Sequence, residues 1–343
     1  MKRKILILLA LTCFYRTWAQ SPFSSQADSL IQLGIRQTMM TDFDSALATF
    51  KHVEEESPER MIGEFYQAAT LQSMMMDYET DHWEDRFYAL INEVIATCDT
   101  LLQAAPEDPW IYFYLGSAHS YLGLYQAKSG ELVTGIRSAY KGIYYLREAV
   151  AKDSTLYDAY LGIGAYKYWS GKYYQYLRWL PFIRDERKQG IDMVRACVKN
   201  ATFSNWVALN NLAWIEYDRG RYEESNRLFQ KGLEAFPESR FFLWGAASCY
   251  FKMKDWQECA IRYEKLLASV RAEAFNNGYN EIECRVKLAK TYAELGEYER
   301  VQLHCDSALS RDIDESVRKR LDDQYKDASK YKKLAQEKLG HEK

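Results

Sequence analysis

The stretch Ala27–Pro58, ADSLIQLGIRQTMMTDFDSALATFKHVEEESP, constrains this chain more than any other. Leu30, Leu33 and Gly34 fall on one face of a first helix, and Ala46, Phe50 and Val53 on one face of a second, with Thr41-Asp42-Phe43 between them. Small residues at the eighth and twentieth positions, Gly34 and Ala46, let the helices approach closely, and Phe50 fills the gap to whatever stacks next. Pro58 cannot continue a helix and starts the connection. One such hairpin leaves apolar faces uncovered, so copies must follow it.

They do. Unit 206–239 carries Leu209, Leu212-Ala213, Gly220-Arg221-Tyr222, Ser225, Phe229 and Pro237; unit 240–273 carries Ala246-Ala247, Tyr250, Cys259 and Tyr263; unit 282–311, after the polar break Asn276-Asn277-Gly278, carries Leu288-Ala289, Gly296-Glu297-Tyr298 and Ala308. The units 61–108, 109–156 and 157–205 have a period near 48 instead: Pro106 follows Pro58 by 48, and Gly142 and Gly190 each arrive about 14 residues late. Their turns, Thr80-Asp81, Ser129-Gly130 and Leu180-Pro181, predict roughly two extra helical turns on each arm, about 10 Å. The segment 314–338 reads as one charge-rich helix whose polar outer face ends the stacking, with fraying after 339.

The spacings L-G, A-x3-F and terminal P in 27–60 and 206–239 resemble the tetratricopeptide repeat, a likeness that covers most of 27–311. It implies an all-α, right-handed α-solenoid with three lengthened hairpins, then a capping helix and tail over 312–343. The stretch Leu180-Pro181, Asp185 and Gly190 is similar to exported bacterial members with enlarged repeats. In that family the first helix of each unit lines the concave face. The resemblance places Trp110, Phe113, Tyr121, Tyr168, Trp169, Trp214, Tyr217, Phe241, Trp244 and Phe251 along it. It implies a non-enzymatic scaffold that holds a peptide or partner domain in an aromatic groove. A small apolar or carbohydrate ligand between the enlarged repeats is the alternative, and a core role for the same aromatics is open to both. A closed pocket between 110 and 183 favours the ligand, and a continuous trough favours a polypeptide. The chaperone-tail subtype is set aside, since its Lys and Asn positions hold Ile31, Ile35, Phe113, Leu161 and Trp214, with Asn210 alone fitting.

The N-terminus reads differently. Lys2, Arg3 and Lys4 precede the apolar run Ile5–Phe14, and Thr17-Trp18-Ala19 offers a cleavage site, so 1–19 is expected to be a secretory signal peptide cut after Ala19 and the mature chain to be secreted or periplasmic. Its removal takes four positive charges and moves the net charge from −3 to −7, which argues against nucleic acid as the partner. No further run is long enough to span a bilayer. Cys13 leaves with this segment, and six cysteines remain at positions that want small apolar residues; Cys249 and Cys259, across one hairpin, are the best-placed pair for a disulfide.

No catalytic pattern emerges, and no cofactor or metal is implied. No two of the five histidines stand three or four apart, HExxH and GxSxG are absent, and Gly162-Ile163-Gly164 lies within a predicted helix. Glu54-Glu55-Glu56 reads as a solvated helix end. The densest stretch, Lys172–Ile183, has five aromatics and three aliphatics among twelve residues; it reads as hairpin interior or as an apolar tip in peripheral contact with a partner or membrane surface.

Overall fold

A computed structural model of the chain describes residues 24–56, 61–174 and 185–341. Residues 1–19, where a signal peptide is expected, and Cys13, Pro58, Leu180-Pro181 and most of 172–183 lie outside the described residues. Among them are sixteen helices and no strand. The first hairpin is α1 (Ser25–Met39) with α2 (Phe43–Glu56), the second α3 (Met61–Tyr78) with α4 (Glu84–Ala104), and the third α5 (Pro109–Lys128) with α6 (Leu132–Lys152). Then come α7 (Ala159–Tyr174) with α8 (Arg187–Asn200), α9 (Asn205–Asp218) with α10 (Tyr222–Ala235), α11 (Arg240–Met253) with α12 (Trp256–Ala272), and α13 (Tyr279–Leu295) with α14 (Tyr298–Ser310). The chain ends in α15 (Glu315–Arg320) and α16 (Asp322–His341).

The hairpin turns share one chemistry. Thr41, Glu79, Gly130, Gly220, Lys254 and Gly296 all adopt positive φ. In each case the next residue donates its N–H to the carbonyl five positions back: Asp42 to Gln37, Thr80 to Met75, Glu131 to Gln126, Arg221 to Glu216, Asp255 to Tyr250 and Glu297 to Tyr292. This left-handed cap satisfies carbonyls orphaned at the helix end and turns the chain back on itself. Side chains close other ends. Asp108 accepts from Trp110 N–H at 2.8 Å ahead of α5, with Pro109 as the first helical residue. Asp158 accepts from the N–H groups of Thr202, Phe203 and Ser204 at 2.7–2.9 Å and ties the start of α7 to the start of α9.

Small residues set the spacing between arms. A Cβ on Gly34 would lie 2.5 Å from the Phe50 ring, so the glycine makes room for the aromatic that closes the unit. The second and third hairpins are lengthened as expected: α3 to α6 have 18, 21, 20 and 21 residues against 14 in each of α9, α10 and α11. In the fourth, α7 and α8 have 16 and 14, and the added length lies between them, where 175–184 are outside the described residues. The arms of the third hairpin approach closely. A Cβ on Gly123 would sit 2.8 Å from Gly135 O, and one on Gly142 2.8 Å from Gly116 O, so α5 and α6 touch backbone to backbone.

Three readings change. The single terminal helix is two, broken at Leu321, whose buried side chain packs with Val317, Ile282 and Ala328. Glu54 is buried rather than solvated, because Gln67 donates to it at 2.7 Å and Lys51 pairs with it at 2.7 Å. The six cysteines among the described residues are buried, and Cys197, Cys249, Cys259, Cys284 and Cys305 are free thiols. Cys249 Sγ donates to Ser225 Oγ at 3.2 Å, and Cys259 Sγ lies 3.3 Å from Thr291 Oγ1, so each thiol faces a different helix and no bridge joins them.

One buried group gives the third hairpin a pH response. His119 on α5 stacks on Tyr145 of α6, and burial, then the nearby Lys141 charge, lowers its pKa from 6.5 to about 4. The native state therefore holds the neutral imidazole. As pH falls from 6.5 towards 4 the unfolded chain takes up a proton that the native chain refuses, so stability is present above this window and lost within it, by up to about 1.4 kcal/mol per pH unit. Urea unfolding at pH 7 and pH 5 is expected to show that loss in wild type and to lose most of the difference in His119→Gln.

Candidate functional site

In an open solenoid each repeat meets only its neighbours. This chain curls until its second hairpin reaches its sixth. The last turn of α3 enters a polar socket made by α11, the α12–α13 connection and α15. Arg240 donates from Nε and Nη2 to Asp77 Oδ2 at 2.7 and 2.5 Å, across 163 residues of sequence. Its guanidinium also pairs with Glu273 and lies 5.5 Å over the Tyr78 ring. Tyr78 donates its hydroxyl to Glu273 at 2.9 Å. Asn280 and Asn277 donate to the carbonyls of Asp77 and Glu79 at 2.5 and 3.0 Å, and Arg320 pairs with the Glu79 carboxylate. The Asp77 and Arg240 side chains are 2% and 3% exposed, which makes this a buried ion pair and not a surface one. Burial works against the charge on Arg240, but Asp77 and Glu273 outweigh it and hold the guanidinium protonated well beyond its ordinary range.

A second contact closes the ring beside the clasp. Phe43 of α2 meets Phe241 of α11 edge to face at 6.3 Å, and Arg36 of α1 lies 5.2 Å over the Phe236 ring. The largest buried cluster accordingly runs from Ile31 through the first three hairpins and on to Phe229, Phe242 and Cys249.

Closure converts the concave face into a cavity of about 430 Å³. Its walls come mainly from the first helices of the first six hairpins, Ile35 and Met39 on α1, Thr70, Ser73 and Met76 on α3, Ser117 and Tyr121 on α5, Leu161 on α7, Asn210, Asn211 and Trp214 on α9, and Phe241 on α11, with Phe50 of α2 and Leu146 of α6 behind them. Met76 and Leu124 stand exposed at its edge. The lining is apolar with neutral polar groups spaced along it. Thr38 and Thr70 share a hydrogen bond at 3.2 Å, Gln72 donates to Tyr121 O at 2.7 Å, and Asn210 donates to Phe241 O at 3.2 Å. Asn211 Oδ1 is buried and has no protein donor. Asp158 is the one charged lining residue, and the start of α9 already occupies its oxygens. A cavity of this kind suits an uncharged occupant, with aromatic surface for contact and amide and hydroxyl groups for orientation.

The ten aromatics placed on the concave face separate into groups. Phe113, Tyr121, Trp214 and Phe241 line the cavity. Trp110 is buried against Phe113 and Phe203, and Tyr168 is buried with its hydroxyl donating to Asp218 at 2.8 Å. Trp169 stands edge-on to Tyr168 with Lys172 near its face, and Tyr217 packs between Trp214 and Tyr222. Trp244 meets Tyr263, and Phe251 meets Trp256 and Lys287. The concave face holds a half-open cavity bounded by six first helices, a form between the closed pocket and the continuous trough that the sequence left open. The clasp residues Asp77, Tyr78, Arg240 and Glu273 were not singled out by sequence reasoning; the Asn276-Asn277-Gly278 break was, but only as a gap between units.

No protein-family model matches the chain, and no curated protein matches it. Among solved structures it is similar to the Cut9–Hcn1 hetero-tetramer of APC/C, at 15% identity over 90% of this chain and 54% of that one, with a TM-score of 0.54. The chain thus spans about half the length of that relative. It is also similar to PilW, a widely conserved type IV pilus biogenesis factor, at 11% identity over 74% and 98% of the two chains and a TM-score of 0.47. A third likeness is to the C-terminal part of a tetratricopeptide repeat-containing protein from Cytophaga hutchinsonii, at 17% identity over 86% and 97% and a TM-score of 0.44. At 15% identity the likeness to the Cut9–Hcn1 structure is one of fold.

Proposed function

We propose, on the premise that the chain has the tetratricopeptide-type α-solenoid fold, that it is a non-enzymatic protein-interaction scaffold that takes a short uncharged segment of a partner protein into its half-open concave cavity. The observation that carries this reading is that the first helices of six successive hairpins all contribute to one cavity of about 430 Å³. That volume suits a few residues and excludes the whole partner domain that a longer trough would hold. A lining whose only charge is the capped Asp158 offers nothing to phosphates or to a charged chain end. The chain acts outside the cytoplasm, most readily in a bacterial periplasm, after loss of residues 1–19.

The test is crosslinking in the native host followed by mass spectrometry, with wild type and Ser117→Phe compared. Ser117 lines the cavity, is half-buried and lies on a helix already packed, so a phenyl group there fills the space without breaking the walls. The variant is expected to melt within a few degrees of wild type and to lose at least about tenfold of the crosslinked partner. The recovered chain is expected to begin at Gln20. A partner retained in full by Ser117→Phe places the interface elsewhere.

A further inference from the structure

The third hairpin carries an apolar stripe near its tip. Leu132, Val133, Ile136, Tyr140 and Tyr144 of α6 are 57–76% exposed. At 3.6 residues per turn they occupy about a third of the helix circumference. They account for five of the twelve large apolar side chains that stand exposed among the described residues, so this is a patch and not scatter. Arg137, Lys141 and Arg147 are exposed on the same half of the helix, and none forms an ion pair among the described residues. From Lys128 to Arg147 there are four cations and one carboxylate, Glu131, in a chain whose net charge is −3.

The order along the helix is informative. Leu132, Val133 and Ile136 lie in the first turn or so after the Ser129-Gly130 turn. Arg137, Tyr140 and Lys141 follow, and Tyr144 and Arg147 lie behind them. At 1.5 Å per residue, Tyr140 stands about 12 Å behind Leu132. Aliphatic groups outermost and tyrosines with cations behind them match the layering of a bilayer, acyl chains under headgroups. The support is stiff, since the glycines described above lock α5 and α6 together. A protein partner fits less well. A stripe one helix wide on a convex face has no groove to receive an anchor, and a stable interface needs about 1,000 Å² or more in total.

We propose that the tip of the third hairpin is a peripheral docking site for an anionic phospholipid surface, with Leu132, Val133 and Ile136 entering the acyl boundary and Arg137 and Lys141 meeting phosphates. No helix among the described residues is long and apolar enough to cross a membrane, so the contact is reversible. It leaves the cavity free, and the scaffold would present its partner at the bilayer face.

The experiment is co-sedimentation of the full chain with vesicles of phosphatidylcholine containing about one-third phosphatidylglycerol, and with pure phosphatidylcholine as the comparison. Hydrogen exchange over 131–141 is followed in the same samples. The N-terminal segment is basic and apolar and is kept identical in all variants. Wild type is expected to bind the anionic vesicles, and exchange across the start of α6 to slow on binding. Val133→Glu/Ile136→Glu is expected to lower vesicle affinity by about tenfold or more, and Arg137→Glu/Lys141→Glu by a similar factor that shrinks as salt rises. Both pairs are at exposed positions, and unchanged melting confirms that the fold is intact. Vesicle affinity unchanged by both pairs, exchange in α6 unaffected by vesicles, or loss of a protein partner with vesicle binding intact would each overturn the proposal.

Discussion

Replacing Arg240 with alanine is expected to cost about 3–5 kcal/mol, because it strands the Asp77 carboxylate in a site where that side chain is 2% exposed. The loss should be larger than that of any exposed ion pair in the molecule, such as Arg227–Glu224, for which about 0–1 kcal/mol is the usual size. It should also be local before it is global. The last turn of α3 is held by Arg240, Asn280 and Asn277, so hydrogen exchange at Met76–Glu79 is expected to rise first, and the Phe43–Phe241 contact to loosen next. The cavity would then open along one side. Replacing both partners by apolar residues of similar size, Asp77→Leu with Arg240→Met, should recover much of the stability, since no charge is left buried without a partner.

The second large effect is expected at Gly142. A Cβ there would lie 2.4 Å from Ser120 Oγ and 2.8 Å from Gly116 O. The hydroxyl can turn away, but the carbonyl belongs to α5 and cannot. Gly142→Leu must therefore push α5 and α6 apart, and a loss of about 3 kcal/mol or more is expected, at the upper end for overpacking. Glycine is a poor helix former, so alanine on an open helix surface would add stability; the site's sign is reversed by contact alone. Gly340, near the end of α16, has open space around its Cβ position. Gly340→Ala is expected to melt at or slightly above wild type. Thermal unfolding of the two variants separates the effects, and equal melting temperatures would show that α5 and α6 do not touch as described.

Much of the fold was legible from small residues and turns. Gly130, Gly220 and Gly296 mark turns by residue type, whereas Thr41, Glu79 and Lys254 adopt the same left-handed conformation without a glycine; Thr41-Asp42-Phe43 and Thr80-Asp81 announced the first two, and nothing announced Lys254. The lengthened arms followed from the period near 48 and the late arrival of Gly142, whereas the backbone contact of Gly123 with Gly135 was not read from the sequence. The site was legible only in part. Helices α3 and α5 bury side chains around most of their circumference, as Trp110, Ile111, Phe113, Tyr114 and Leu115 show in sequence. With nearly every position buried, periodicity cannot tell the concave side from the side packed on the next hairpin. Trp110 and Tyr168 were thus grouped with Trp214, although the structure buries the first two and leaves the third on the cavity wall. The clasp was illegible for a different reason. Repeat logic concerns neighbours, and nothing in the spacing of Asp77 and Arg240 announces a contact across 163 residues.

That contact is also the most direct test of the whole account. A double-mutant cycle on Asp77→Leu and Arg240→Met, read by urea unfolding, measures whether the two side chains sense one another. A ring closed by this clasp predicts a coupling energy of about 2–3 kcal/mol, with the double variant far more stable than the sum of the single losses. Single effects that add to within about 0.5 kcal/mol would mean that the second and sixth hairpins stand apart, and that the concave face is an open surface with no cavity.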